Sequence, residues 1–168
     1  MSEFTRLIDL RGIGDSPVRL SATAEERVAL ARRFELVAVE RLEAVVELVP
    51  EAGGVDATGR LEAAIVQSCA VSGEDLPVVI AEPVKLRFVP ASSAAPSPDE
   101  EIELDAAALD EIEFTGTQFD LGEALAQTLA LAIDPFAVGP AAEEARRRAG
   151  IVGEGANSPF AALKGKFD

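Results

Sequence analysis

Three stretches of this sequence alternate between apolar and polar residues and follow one another with only short breaks between them. They cover residues 41–48, 55–69 and 76–89, and the breaks contain Gly53-Gly54 and Gly73-Glu74-Asp75. A period of two directs one set of side chains to a core and the other to water, which is typical of β-strands with one solvated face. Short glycine-containing connections join antiparallel neighbours. The pattern therefore predicts an antiparallel sheet that is covered on one face.

A helix is predicted before these strands. Thr23 is followed three residues later by Glu26, which is the pattern of a capping box at a helix N-terminus. The helix is expected to run to about Arg33. Its spacing of apolar residues places Val28 and Ala31 on the buried side.

Two further helices are predicted in the C-terminal half of the chain. Asp120 precedes residues 121–133, which are apolar almost all round and predict a central buried helix. Another helix begins near Pro140 and ends with Arg146-Arg147-Arg148, as the helix dipole favours. The predicted fold class is α+β. We expect a strongly curved antiparallel sheet, either open or partly closed like a barrel, packed against the buried helix, with peripheral N- and C-terminal helices.

The length of 168 residues suits a single domain, which we expect over residues 1–150. Residues 90–99 are rich in small residues and proline, and we expect a mobile loop there because such a segment buries little apolar surface. Short acidic strand patterns follow at 101–104 and 111–114. Residues 151–168 are expected to form a flexible tail with a short amphipathic segment.

The chain is strongly acidic, with thirty acidic residues, fifteen basic ones and a formal net charge of −15. No basic residue lies between Arg87 and Arg146, an interval that contains thirteen acidic residues. A surface of this charge attracts basic polypeptides and repels phosphate groups. We therefore predict an acidic face that binds a basic partner, unless the acids only keep an alanine-rich protein soluble. The residues predicted to form the acidic face are Asp99, Glu100, Glu101, Glu103, Asp105, Asp110, Glu111 and Glu113.

The sequence offers little for catalysis. Histidine is absent, which removes the commonest general base and the commonest metal ligand near neutral pH. The acidic cluster at 99–105 lacks the fixed positions and the glycine of a calcium loop. The single cysteine, Cys69, has no base beside it, and the nearby Glu74 and Asp75 are expected to raise its pKa. We therefore predict that Cys69 is a buried structural thiol. We expect no enzymatic activity, no cofactor, no metal site and no small-molecule substrate.

Nothing in the sequence points to a membrane or to an oxidising compartment. The N-terminal residues lack the basic flank and apolar run of a secretory signal. The longest apolar stretch, at 125–133, is interrupted by Gln127 and Thr128 and is far shorter than a membrane-spanning helix. A single cysteine forms no intramolecular disulfide. We expect a cytoplasmic protein without membrane contact.

Three segments occur in an order that is typical of a known family. The first runs from Gln67-Ser68-Cys69 into Leu76-Pro77-Val78. The second joins Phe119-Asp120-Leu121 to Asp134-Pro135, and the third is Asn157-Ser158-Pro159-Phe160-Ala161-Ala162-Leu163-Lys164. Together they resemble the central cysteine turn, the leucine-rich segment and the C-terminal signature of the YceD family, the large ribosomal RNA subunit accumulation proteins. The resemblance extends over most of the chain from about residue 20.

The resemblance implies a non-enzymatic factor in large ribosomal subunit assembly or ribosomal RNA accumulation. Its expected partner is a basic ribosomal protein or assembly factor, bound through the acidic face. Pro159, Phe160 and Leu163 in the tail are candidate docking residues, unless the tail packs on its own domain. Contact with RNA is then indirect. The alternative is a direct RNA-binding factor that uses Arg27, Arg32, Arg33 and Arg41.

The chain departs from the family pattern in its cysteines. Many members have a second cysteine three residues after the first and another after the proline segment, and this arrangement resembles a metal site. Here Ser72 stands at the first of these positions, and residues 139–144 contain no cysteine or histidine. One thiolate does not make a tetrahedral site, so no structural zinc is predicted.

Overall fold

A computed structural model of the chain describes residues 3–91 and 110–151. Over these residues the fold is α+β, with a five-stranded sheet in the order β2-β3-β4-β5-β6. The strands of this sheet are β2 Val18–Ser21, β3 Ala38–Glu51, β4 Gly54–Ser68, β5 Asp75–Pro90 and β6 Asp110–Phe114. A small second sheet pairs β1 (Leu7–Asp9) with β7 (Gln118–Asp120). The helices are α1 Ala24–Arg33, α2 Leu121–Ala132 and α3 Ala142–Arg148.

The three alternating stretches of the sequence are the long central strands β3, β4 and β5. These strands pair in antiparallel fashion, as predicted. The hairpin between β3 and β4 turns at Gly53, whose φ of 92° suits a residue without a side chain. The inward positions of β4 follow the predicted alternation, and the buried side chains are Val55, Ala57, Leu61, Ala63 and Ile65.

The sheet is mixed and open, so the predicted purely antiparallel, strongly curved or barrel-like sheet is wrong. β6 lies parallel to β5, with Leu86 opposite Asp110 and Pro90 opposite Phe114. Within the described residues, β2 and β6 are the two ends of the sheet and do not pair with each other. Alternation within a strand carries no information about the direction of its neighbour. The 19 residues between Pro90 and Asp110 are enough for a parallel crossover, which needs about a dozen.

Helix α1 begins with the predicted capping box. The Glu26 N–H donates to Thr23 Oγ1 at 3.3 Å, and the Thr23 N–H donates to Glu26 Oε2 at 2.8 Å. The helix packs into the core through Leu30 and Ala31. Val28 is 54% exposed, so its predicted place on the buried side is wrong. The buried face of α1 is centred on Leu30, which is completely buried, and is therefore rotated away from Val28.

Helix α2 is the central helix, as predicted. Its N-cap, Asp120, accepts hydrogen bonds from the N–H groups of Glu123 and Arg6 at 3.1 and 2.8 Å. Leu131 departs from the expectation of burial all round, because it is 86% exposed near the C-terminal end of the helix. The helix gives the core the side chains of Leu121, Ala124, Leu125, Ala126 and Leu129.

Some expectations fall on residues that the structure does not describe. They are the loop beyond Ala91, the strand pattern at 101–104 and the tail beyond Ile151. Pro90, assigned to the loop from the sequence, is the last residue of β5. None of the helices in the described part of the chain has the length and apolar character that crossing a membrane requires.

Candidate functional site

Only part of the predicted acidic face lies within the described residues. Asp110, Glu111 and Glu113 are on β6, and all three are exposed. None of them forms an ion pair with another residue in the ranges 3–91 and 110–151. The remaining predicted site residues, which lie outside the described part, are Asp99, Glu100, Glu101, Glu103, Asp105, Pro159, Phe160 and Leu163.

The fold brings the acids of β6 next to cations of β5, which the linear sequence does not reveal. Glu111 stands opposite Arg87 in the parallel register. Arg87 also lies 3.7 Å from the Asp56 carboxylate and donates to the Ala52 carbonyl at 3.3 Å. The stretch between Arg87 and Arg146 contains no basic residue, but the fold places basic residues of β5 beside its acids. The charge of this face has to be judged from both strands.

A groove of about 540 Å³ lies between α2 and the part of the sheet where β6 begins. Three carboxylates and one ammonium group line it, from Glu82, Asp110, Glu111 and Lys85. Its apolar lining comes from Pro83, Leu86, Ile112, Ala124, Leu131 and Ala132. Acidic and apolar residues line the same groove, which is a combination suited to a polypeptide rather than to a small polar substrate.

One side of the groove is an edge of β5 that the described strands cover only in part, and we call it the open edge. β5 pairs with β4 from Asp75 to Phe88, but β6 covers its other edge only from Leu86 to Pro90. Residues 75–85 therefore have one edge that no strand of the described part covers. Pro77 and Pro83 lie in this portion. Prolines in a strand-like sequence predict an edge position or a bulge because they cannot donate to a ladder, and the pairing of the described residues agrees with the edge position.

The four arginines considered as RNA contacts do not form one cluster, since three lie on α1 and Arg41 lies on β3. Glu123 and Glu3 hold Arg33 at 2.6 and 2.9 Å and raise the pKa of its guanidinium. Arg41 is 3.3 and 3.7 Å from two carboxylates of the sheet. An arginine that already has a carboxylate partner must exchange it to bind a phosphate. This requirement disfavours strong RNA binding through Arg33 and Arg41.

Cys69 is buried, with 4% of its surface exposed, in the turn after β4. Its Sγ accepts hydrogen bonds from the N–H groups of Gly139 and Ser72 at 3.2 and 3.4 Å. The bond from Gly139 and then those around Ser72 lower the pKa of the thiol to about 6. The prediction that Glu74 and Asp75 raise this pKa is wrong, because donors in direct contact outweigh more distant carboxylates. Gly139 is 70 residues away in the sequence, so this donor could not be anticipated.

The Cys69 turn holds the loop that follows α2. The Ala70 N–H donates to the Ala137 carbonyl at 3.0 Å, and the buried Gln67 donates from Nε2 to the Asp134 carbonyl at 3.0 Å. Two segments that carry the family resemblance are therefore in direct contact. Among the described residues there is no group of three or more potential ligands, from His, Cys, Asp or Glu, that could hold a metal ion.

The Cys69 thiol is expected to titrate near pH 6 in the folded protein. An unfolded cysteine titrates at about pH 8.5, so the stabilisation by these hydrogen bonds is complete above that pH. It is lost as the pH falls through about 6. Ultraviolet absorbance of the thiolate measures the titration, and denaturant unfolding at each pH measures the stability. A Cys69→Ser variant should show neither the absorbance change nor this gain in stability, and a midpoint above about pH 8 in the native chain contradicts the prediction.

Comparison with known proteins identifies one family. The family described as large ribosomal RNA subunit accumulation protein YceD matches residues 57–165. No curated protein and no solved structure matches the chain. The match begins within β4, later than the resemblance noted from about residue 20, and it includes the Cys69 turn, the groove and α2. Because the match covers more than half of the 168 residues, the chain belongs to the YceD family of large ribosomal RNA subunit accumulation proteins.

Proposed function

We propose that this protein is a non-enzymatic, cytoplasmic factor in assembly of the large ribosomal subunit. In this proposal it binds a basic ribosomal protein or assembly factor through its acidic face. Membership of the YceD family is the observation that carries the proposal, since the family is named for accumulation of large-subunit ribosomal RNA. Proteins that bind ribosomal RNA need clustered lysine and arginine, and such a cluster is what an acidic factor recognises.

The charge of the chain supports a protein partner over RNA. A formal net charge of −15 disfavours the approach of a polyanion and accelerates the encounter with a basic protein. Asp110, Glu111 and Glu113 are all exposed on one short strand, where the alternation of side chains places Glu111 and Glu113 on one face and Asp110 on the other. They are therefore the described residues best placed to meet a basic partner. The arginines of the RNA alternative include two that are already ion-paired.

The experiment neutralises the acids of β6. We expect a tagged chain to retain a basic large-subunit protein after ribonuclease treatment. The triple variant Asp110→Asn, Glu111→Gln and Glu113→Gln should retain it about tenfold less, since loss of about 1.4 kcal/mol weakens binding tenfold. In cells that lack the native protein, the same variant should restore less large-subunit ribosomal RNA than the native chain does.

A second triple variant controls for net charge. Glu25→Gln, Glu40→Gln and Glu47→Gln remove three exposed acids from α1 and the β3 region and should leave retention unchanged. Loss of the captured protein on ribonuclease treatment contradicts the proposal and favours direct RNA binding. An equal effect of both triple variants also contradicts it, because the acids of β6 then have no special role.

A further inference from the structure

We propose that the groove between α2 and the open edge of β5 is the docking site for a short, extended, basic segment of the partner. The segment adds a strand to β5 and places an apolar side chain against Leu131. This inference rests on the proposed function and deepens it, because it specifies the conformation and chemistry of what the partner inserts. The mode of recognition is β-strand addition at an exposed sheet edge.

The hydrogen bonds at both ends of β5 show which backbone groups face the open edge. At one end the Cys69 N–H donates to the Glu74 carbonyl at 2.8 Å, and at the other the Ala91 N–H donates to the Phe114 carbonyl at 2.8 Å. The pairing of β5 with β4 runs without interruption between these ends. Even-numbered residues of β5 therefore direct their N–H and carbonyl groups to β4, and odd-numbered residues direct theirs to the other edge. Val79 and Ala81 are among the latter.

The prolines of β5 limit what fits on this edge. Pro77 and Pro83 are both odd-numbered, so the donors that they lack belong to the open edge. They flank Val79 and Ala81, whose N–H groups no strand of the described residues accepts. A long ladder between two copies of the chain is blocked at both prolines, which is how natural edges avoid self-association. A segment of only a few residues fits between them.

Apolar side chains lie on both sides of the edge. Leu131 of α2 is 86% exposed at the groove, and Val79 of β5 is 75% exposed. An added strand turns successive side chains to opposite faces. One apolar side chain of the segment would cover Leu131 and Ala132 in the groove, while its neighbour lies near Val79 on the solvated face. The exposure of these two residues is accounted for by an occupant with alternating side chains.

The charged residues that line the groove favour a basic segment. Glu82, Asp110 and Glu111 against Lys85 leave two net negative charges at the groove. Like charges opposed across an interface cost binding energy, so an acidic segment is disfavoured. The competing occupant from this chain is residues 101–109, which precede β6 and contain three acids and no base. Charge complementarity therefore favours a basic partner over the chain's own segment.

The test uses the full chain and a short capped peptide of alternating lysine and valine. Titration followed by NMR should shift and protect the amides of Val79 and Ala81. Val79→Pro removes one outward N–H at a position equivalent to the native prolines, and Leu131→Gln removes the exposed apolar contact without adding charge. Each variant should weaken peptide binding about tenfold, the effect of losing about 1.4 kcal/mol. Val28→Gln, at an apolar residue of α1 that is 54% exposed, is the matched control and should leave binding unchanged.

Three outcomes overturn the inference. The first is peptide binding that neither Val79→Pro nor Leu131→Gln weakens, and the second is equal binding of a glutamate–valine peptide. The third is binding that appears only when residues 101–109 are replaced by a glycine–serine linker, which would assign the groove to the chain's own segment. The proposed function fails in a different way. If neutralising the acids of β6 abolishes partner capture while the two groove variants leave it unchanged, the acidic face stands and only the groove inference is overturned; if neutralising these acids leaves capture unchanged, the proposed function itself is contradicted.

Discussion

Replacing Gly122 by alanine is expected to destabilise the fold by about 3 kcal/mol, the upper end of the usual cost of overpacking. The sign is opposite to the ordinary effect, since glycine to alanine in an exposed helix stabilises by about 1 kcal/mol. A Cβ atom at Gly122 would lie 2.1 Å from the Phe4 carbonyl oxygen and 2.8 Å from the Arg6 nitrogen. Both neighbours are backbone atoms, so a side-chain rotation cannot relieve the contact.

Two hydrogen bonds made by the residues just before Gly122 hold the N-terminal segment against the start of α2. The Leu121 N–H donates to the Arg6 carbonyl at 3.0 Å, and the Arg6 N–H donates to Asp120 at 2.8 Å. The clash therefore has to be relieved by breaking these bonds or by moving α2 away from Phe4, which is buried to 1% exposure. Either response removes the N-terminal segment from the first turn of the central helix.

Denaturant unfolding measures this effect, and Gly14→Ala is its control. No atom lies within 4 Å of a Cβ built at Gly14, so its substitution should change the free energy of unfolding by less than about 0.5 kcal/mol. If Gly122→Ala is as stable as the native chain, the close packing of α2 on the N-terminal segment is wrong. A lower stability with an unchanged denaturant slope is the expected result.

The parts of the fold that the sequence predicts are those governed by local physics. Alternation gives β3, β4 and β5 because burial of one face has a period of two. The caps of α1 and α2 follow from side chains within three residues of the backbone groups that they satisfy, as Thr23 and Asp120 illustrate. The family resemblance was also correct, because it depends on ordered motifs.

The parts that could not be predicted depend on distant pairing. β6 lies parallel to β5, and no local pattern encodes the direction of a neighbouring strand. β1 and β7 have three residues each, too few to display a period, and their partners are separated by more than 100 residues. The lowered pKa of Cys69 could not be predicted for the same reason, since its main hydrogen-bond donor, Gly139, lies on a distant segment.

The candidate site divides in the same way. Sequence reasoning found the exposed acids Asp110, Glu111 and Glu113, because charge is visible in composition. It missed Arg87 beside them and the groove, because both arise where β5 meets other elements. One signal did point to the edge: Pro77 and Pro83 in an otherwise strand-like stretch. A pattern of prolines in a strand was thus the most informative local clue to the site.

Phe88 joins the strand that carries these acids to the rest of the core. Its ring is 1% exposed and stacks on Phe119 of β7, with the ring centroids 4.1 Å apart. Phe119 in turn contacts Phe114 of β6, at a centroid distance of 5.9 Å. In the parallel register Phe88 lies opposite Ile112, and Ile112 stands between the exposed acids Glu111 and Glu113 in the sequence. The three rings therefore connect β5, β6 and the small sheet.

Replacing Phe88 by alanine is expected to cost about 4 kcal/mol, because it leaves a cavity where the rings meet. We expect β6 to lose its structure first, since this strand has five residues and pairs only with β5 among the described strands. Hydrogen exchange should show loss of protection in β6 under conditions where β3 and β4 remain protected. Phe88→Leu, which keeps most of the volume, should cost about half as much or less.

If Phe88→Ala leaves the protection of β6 unchanged, the rings do not anchor this strand. If it loosens β6, partner capture should fall although every acid is still present, because binding needs the acids held in a fixed array and not only their charge.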